Sequence, residues 1–154
     1  MGVLTQSAQE GFNFEVKITH KDLTETASAT AQTIDIAEIP TDAIVEWSAY
    51  GLVEEFDGGS ASALTLALGD EDDADGFVSA KSVLNGATPV SSAVNDGAYY
   101  NDGTTANTVN GKVYDNASTK TLQAVFTPTG DSLANIDTGE VLIKAKIIDL
   151  KKEL

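Results

Sequence analysis

Apolar and polar residues alternate with a period of two along most of the chain. Phe12, Phe14, Val16, Ile18 and His20 alternate with Asn13, Glu15, Lys17 and Thr19, the pattern of a strand buried on one face. SATAQTIDIAEIP, rich in threonine and isoleucine, predicts a second strand that ends at Pro40. Ala43 to Phe56 predicts a longer one, with Val45, Trp47, Ala49 and Val53 on one face. That phase assigns Trp47 to the core, and Gly51 is expected to mark a bend or bulge. Leu64, Leu66 and Leu68 predict a fourth strand. The period then changes. Phe77, Ala80 and Leu84 stand at i, i+3 and i+7, which predicts one or two helical turns over the end of a sheet, with Asp72 or Asp75 as the cap.

Punctuation follows. The dipeptides NG at Asn85, DG at Asp96, DG at Asp102 and NG at Asn110 supply the positive φ angles of hairpin turns, with short strands expected around AYYN, TTANTV and KVYD. Leu122, Ala124 and Phe126 alternate up to Pro128, and EVLIKAKIID closes the pattern. The last strand sets Val141, Ile143, Ala145 and Ile147 against Leu142, Lys144, Lys146 and Ile148. Its second face is mixed, as expected of a strand partly covered by a neighbour. Eight or more strands with little helix predict an all-β fold, an antiparallel β-sandwich that is jelly-roll-like, with one short helix. No repeat or long linker divides it. The organisation expected is an N-terminal arm over 1–11 and a single β-sandwich domain over 12–154, long enough to bury a core unaided.

Charge narrows the partners. Twenty-four acidic residues against nine basic ones give a net charge of −15, and every base is a lysine. A chain without arginine lacks the planar fork that reads phosphates and guanine edges. An acidic surface also repels a nucleic-acid backbone. Neither nucleic acid nor an anionic membrane is an expected partner, and no apolar run approaches the roughly 18 residues of a membrane span. The first residues, MGVLTQSAQEGF, lack the basic-then-apolar order of a signal peptide. The C-terminal KKEL and the sequon Asn116-Ala117-Ser118 therefore carry no expectation.

Candidate chemistry is sparse. With no cysteine and one histidine, His20, thiolate sites and two-histidine metal sites are excluded. His20 sits in a strand pattern and reads as structural. The stretch GDEDDADGF, Gly69 to Phe77, packs five carboxylates into nine residues. An EF-hand register places Glu71, Asp73 and Asp75 as the first ligands ahead of Gly76, but position 12 is Ser82 where a bidentate Glu is required. Two readings stand. One is an irregular calcium site; the other is an acidic corner that caps the following element, with Gly76 letting the chain turn and Phe77 plugging the end of the sandwich. Carboxylate pairs suited to glycoside hydrolysis carry no weight among twenty-four acids. No phosphate loop or serine elbow is present, and no catalytic residue, metal ligand or cofactor is expected. Tyr99-Tyr100, beside a DG turn, is the one hint of a sugar-stacking platform, because one of two adjacent tyrosines is expected to point outward.

The run from Ile18 to Trp47, ITHKDLTETASATAQTIDIAEIPTDAIVEW, resembles the opening of small virion proteins of tailed phages, particularly marine ones. The matching features are a D-L-T turn at Asp22-Leu23-Thr24, a T-A-Q-T strand at Thr30 to Thr33 and a turn at Ile39-Pro40. Two more follow in order: an L-x-L-x-x-G-D segment running into an acidic turn (Leu66 to Ala80), and a T-G-E-V strand ending in D-L (Thr138 to Leu150). The resemblance implies a head decoration, or cement, protein: a homo-oligomer, expected to be a trimer, that binds the major capsid protein on the virion surface after assembly in the host cytoplasm. It implies no catalytic residues, and it favours the structural corner over a metal site. The alternative function is a carbohydrate-binding or receptor-binding domain of a head fibre or tail. The residues expected at a capsid or subunit interface are Val3 and Leu4 of the arm, with Phe12, Leu142 and Ile148.

Overall fold

The computed structural model describes residues 11–100, 112–115 and 118–151. Within them the chain forms β1 (Phe14–Thr19), β2 (Gln32–Ile39), β3 (Ala43–Asp57), β4 (Ala63–Gly69) and β5 (Val78–Ser82). They are followed by β6 (Ser92–Val94), β7 (Lys112–Tyr114), β8 (Lys120–Thr129) and β9 (Thr138–Asp149). One sheet has the order β1-β9-β3-β6, with β7 also on the edge of β3, and the other has the order β2-β8-β4-β5. Every named pairing is antiparallel. The chain changes sheet at most connections; β4 to β5 and β6 to β7 each stay within one sheet. This winding is that of a jelly roll.

Alternation explains which side chains meet between the sheets. Val16 and Ile18 of β1, Leu64, Leu66 and Leu68 of β4, Leu122, Ala124 and Phe126 of β8 and Val141, Ile143 and Ala145 of β9 are all buried. Phe56 and Phe126 meet edge to face, 5.5 Å between ring centres. Each buried Val, Leu, Ile or Phe contributes about 1.5–3 kcal/mol, which is how a chain without disulfides holds two sheets together. At the end of β1, Asp22 accepts the Thr19 amide at 2.9 Å. The Gln32 side chain bonds the Thr24 amide at 2.8 Å and the Asp22 carbonyl at 2.8 Å, fixing the loop from β1 to the start of β2.

Three expectations are corrected. The segment after Gly76 is a strand, β5, and not a helix; the described residues hold only 3₁₀ turns, at His20–Asp22 and Leu133–Asn135. The free edge of β4 decides this, since strand pairing satisfies a row of backbone groups. Phe77 N–H bonds Leu68 O and Val83 N–H bonds Leu64 O, at 2.9 Å each, and a register shift between Leu66 and Leu68 lets Phe77, Val78, Val83 and Leu84 all be buried. Asp72 and Asp75 accordingly cap no helix. Trp47 is not in the core. A bulge at Glu46 falls between the pairs Val45↔Ile147 and Trp47↔Lys146; one extra residue flips the face, leaving Val45 buried inside and Trp47 on the outer side of the sheet. Finally, Gly51 is paired regularly with Leu142 and Ser92; the next irregularity of β3 lies beyond it, between Leu52 and Glu54.

Candidate functional site

The acidic stretch is built around Asp70, which is 2% exposed. It follows Leu64, Leu66 and Leu68 on the even-numbered face of β4, so the strand period carries it inward. Its Oδ2 accepts the Tyr114 hydroxyl at 2.5 Å. Its Oδ1 accepts the Tyr99 hydroxyl at 2.7 Å and the amides of Asp72 and Asp73 at 2.9 and 3.0 Å. Burial pushes this carboxyl up, but the Tyr114, Tyr99 and backbone hydrogen bonds together outweigh it, and the pKa ends below the usual value. The same arrangement raises both phenols, first through burial and then through their bonds to Asp70.

The neighbouring acids are committed to local bonds as well. Glu71 accepts the Thr121 amide at 3.0 Å, and Asp72 pairs with Lys120 at 2.9 Å. Asp75 is raised, most by its hydrogen bond with Asp73. Gly76 is required by space: a Cβ there would lie 2.4 Å from the Tyr99 ring. Phe77 fills the end of the core and meets Tyr99 edge to face at 5.1 Å. Among the described residues no group of three or more His, Asp or Glu is arranged to hold a metal ion. The stretch thus ties the end of β4 to β7, to β8 and to the Tyr99 turn.

The tyrosine pair does not form a platform. Tyr100 is buried and donates to Val45 O at 2.9 Å, while Tyr99 lies between Phe77 and the Lys112 ammonium, 4.2 Å from its ring centre. Both adjacent tyrosines turn inward because a turn, and not a strand, carries them. His20 occupies the 3₁₀ turn after β1.

The residues expected at an interface distribute as follows. Val3 and Leu4 lie outside the described residues. Phe12 is 3% exposed, with the Lys144 ammonium 4.7 Å from its ring centre. Leu142 is half-buried and Ile148 is 36% exposed. Leu142, Lys144 and Ile148 share the outer face of the β1-β9-β3-β6 sheet, and Lys144 brings Phe12 beside them. On the same face lie Val53 and Val94, 58% and 57% exposed, and Val113. Leu142, Ala49, Gly51, Val53 and Lys144 line a shallow depression of roughly 330 Å³ there. Most of its charges cancel locally: Lys17 pairs with Glu140, Lys144 with Glu15 and Lys146 with Glu46. On a chain of net charge −15 this surface is apolar-striped with mostly paired charges, and exposed Glu54 stands on it opposite Glu140.

Sequence reasoning missed three clamps. Asp70 was legible from the β4 period. The Asn13 side chain, which pairs with both backbone groups of Ile147 at 2.6 and 2.9 Å, left no signal. Neither did Asp131, which accepts the Ser60 and Ser132 amides and the Asn135 side chain at 2.6–2.7 Å.

The sequence matches no family model and no curated protein. The fold does have counterparts. A chain in the structure of the cyanophage Pam1 capsid asymmetric unit superposes with a TM-score of 0.54 at 18% identity, over 87% of this chain and 81% of that one. A chain in the acidic stable capsid of Helicobacter pylori bacteriophage KHP30 gives 0.49 at 13% identity, over 92% and 91%. One in the capsid of Ralstonia phage GP4 gives 0.46 at 10% identity, over 97% and 92%. The Pam1 likeness shows that this jelly roll is shared, over most of both chains, with a component of a phage capsid.

Proposed function

We propose that this chain is a structural, non-enzymatic virion protein that decorates and stabilises the capsid of a tailed phage. It binds the major capsid protein without covalent linkage, as a trimer, on the virion surface after assembly in the host cytoplasm. The observation that carries this reading is the fold shared with a chain of the Pam1 capsid asymmetric unit over most of both lengths. Two features support it. The acidic stretch is engaged in structure, with Asp70 bonded on both oxygens. The outer face of the β1-β9-β3-β6 sheet offers an apolar-striped surface, most of whose charges are paired, for non-covalent contact, where many weak contacts gain from multivalency.

The test is cosedimentation of the purified protein with empty shells of the phage that encodes it. Saturable binding at a fixed number of copies per shell, with greater resistance of the bound shell to heat, is expected. Failure to bind, or recovery only with tails or fibres, overturns the reading. Mass by light scattering, with and without a chelator, is expected to give a trimer in both cases.

A further inference from the structure

Of the dipeptides that punctuate the middle of the chain, those beginning at Asp102 and Asn110 lie outside the described residues. The other two stand in opposite chemical situations. In each, the glycine nitrogen can attack the side-chain carbonyl of the residue before it, because glycine has no side chain to hinder the approach. At Asp96-Gly97 that nitrogen is committed, with the Gly97 N–H donating to Phe77 O at 3.0 Å. The Asp96 carboxylate is held by the Ser79 amide at 2.9 Å and by Lys81. At Asn85-Gly86 both residues are exposed, and the Gly86 N–H has no partner among the described residues.

The fold holds this second dipeptide closed. Ala87 N–H bonds Leu84 O at 3.1 Å, Gly86 has φ 78° and Asn85 does not have positive φ, which makes Leu84 to Ala87 a type II turn. The first central residue of such a turn has ψ of about +120°, and for an L-residue this sets the next nitrogen roughly a third of a rotation away from Cβ. Ring closure needs the two eclipsed. The side chain is held as well. Asn85 Nδ2 donates to Asp57 Oδ2 at 3.0 Å, and this bond, followed by that of the Gly58 amide, keeps Asp57 below the usual carboxylate range. The turn sits on a seam between the sheets. Asn85 N–H bonds Phe56 O at 2.8 Å and Phe56 N–H bonds Val83 O at 3.0 Å. The end of β3 is thereby joined to the residues that follow β5 of the other sheet, beside buried Phe56 and Leu84.

We propose that Asn85 is a self-modification site, a one-way latch that deamidates only when its turn opens and that Asp57 keeps shut. In the open turn the Gly86 nitrogen loses its proton to hydroxide and attacks Asn85 Cγ. The Cγ–Nδ2 bond breaks, and Nδ2 leaves as ammonia after taking a proton from water. Water then opens the succinimide ring, giving aspartate or, through the other carbonyl, isoaspartate, whose main chain runs through the side-chain carbon. Either product puts a carboxylate where an amide had donated to Asp57, and two like charges so close repel. The turn cannot reclose as before, and the seam at Phe56 is weakened. The inference does not rest on the capsid reading.

The test is peptide mapping by mass spectrometry of the folded protein during incubation in mildly alkaline buffer, beside the free peptide VLNGATPV of residues 83–90. Wild type is expected to convert at Asn85 more slowly than the peptide. Asp57→Ala, with unchanged circular dichroism, is expected to convert about threefold faster than wild type, the scale of one exposed charged contact. Asn85→Asp installs one product outright and is expected to lower the thermal midpoint. Adding Asp57→Ala to it is expected to recover part of that loss, because the repulsion is then gone. Conversion of wild type at the rate of the peptide overturns the inference. So does an Asp57→Ala rate no higher than that of wild type, zero in both included, or a midpoint of Asn85→Asp that does not fall, or falls and is not recovered.

Discussion

The hydroxyl of Tyr114 donates to Asp70 Oδ2 at 2.5 Å, joining β7 to the end of β4 across 44 positions of sequence. With Tyr99 on the other oxygen, one buried carboxylate gathers two phenols and two amides, and this is what the acidic corner is for. Charge-assisted bonds of this kind contribute about 1.5–3 kcal/mol each. Tyr114→Phe is therefore expected to cost about 2 kcal/mol. Asp70→Ala leaves several buried donors without an acceptor and is expected to cost about 3–5 kcal/mol. Denaturant midpoints at constant slope measure both. Equal, negligible losses would show that the corner is not held by this carboxylate.

A second carboxylate staples the opposite loops. Asp131 is held down to about 2 by hydrogen bonds from the Ser60 amide, the Asn135 side chain and the Ser132 amide. A folded pKa below the unfolded one contributes stability that is present above about pH 4 and is lost as pH falls through the folded value. Thermal midpoints are expected to drop between pH 4 and pH 2, and Asp131→Asn to flatten the part of that drop that belongs to this corner. An identical acid limb in the variant would remove Asp131 from the account.

Ser48 is fully buried on the inner face of β3, and its hydroxyl finds no partner among the described residues. An unpaired buried hydroxyl costs free energy with nothing in return. Ser48→Ala is expected to raise stability by about 1 kcal/mol, read as a shift in the denaturant midpoint. A loss of similar size would mean that the hydroxyl has a partner, such as a buried water.

Six of the strands could be read from alternation alone, because one face of each is buried and the other is not: Val16 and Ile18, or Leu64, Leu66 and Leu68, announce β1 and β4. The failures share a physical cause. A bulge at Glu46 shifts the phase by one residue, which moved Trp47 from the core to the outer face; bulges leave no mark in composition. β5 carries helical spacing by coincidence, and the need of β4 for a partner, a tertiary fact, overrides it. The Tyr99-Tyr100 pair misled because the rule of opposite faces holds for strands and not for turns. Asp70, in contrast, was readable: the period that placed Leu68 inside continues to it, and a carboxylate arriving on a core face requires donors. The donors themselves, forty-four and twenty-nine positions away, belong to the topology and not to the local pattern.

The protein's four tyrosines give the last prediction. Burial, followed by the charge of Asp96, pushes Tyr50 up to about 12. Tyr99, Tyr100 and Tyr114 are also raised, each first by burial. An unfolded tyrosine titrates at about 10. A phenol whose folded pKa lies above that value contributes stability that is complete below pH 10 and declines as pH rises through the folded pKa. Native protein is therefore expected to show no tyrosinate absorbance at pH 10, where the urea-unfolded chain is half titrated. Above that, the signal is expected to appear together with loss of the strand circular dichroism, in one cooperative step. A tyrosine that ionises near pH 10 while the dichroism holds would show that its hydroxyl is open to solvent, and Tyr99 is the first to examine, because it is only half-buried whereas Tyr114 and Asp70 are buried.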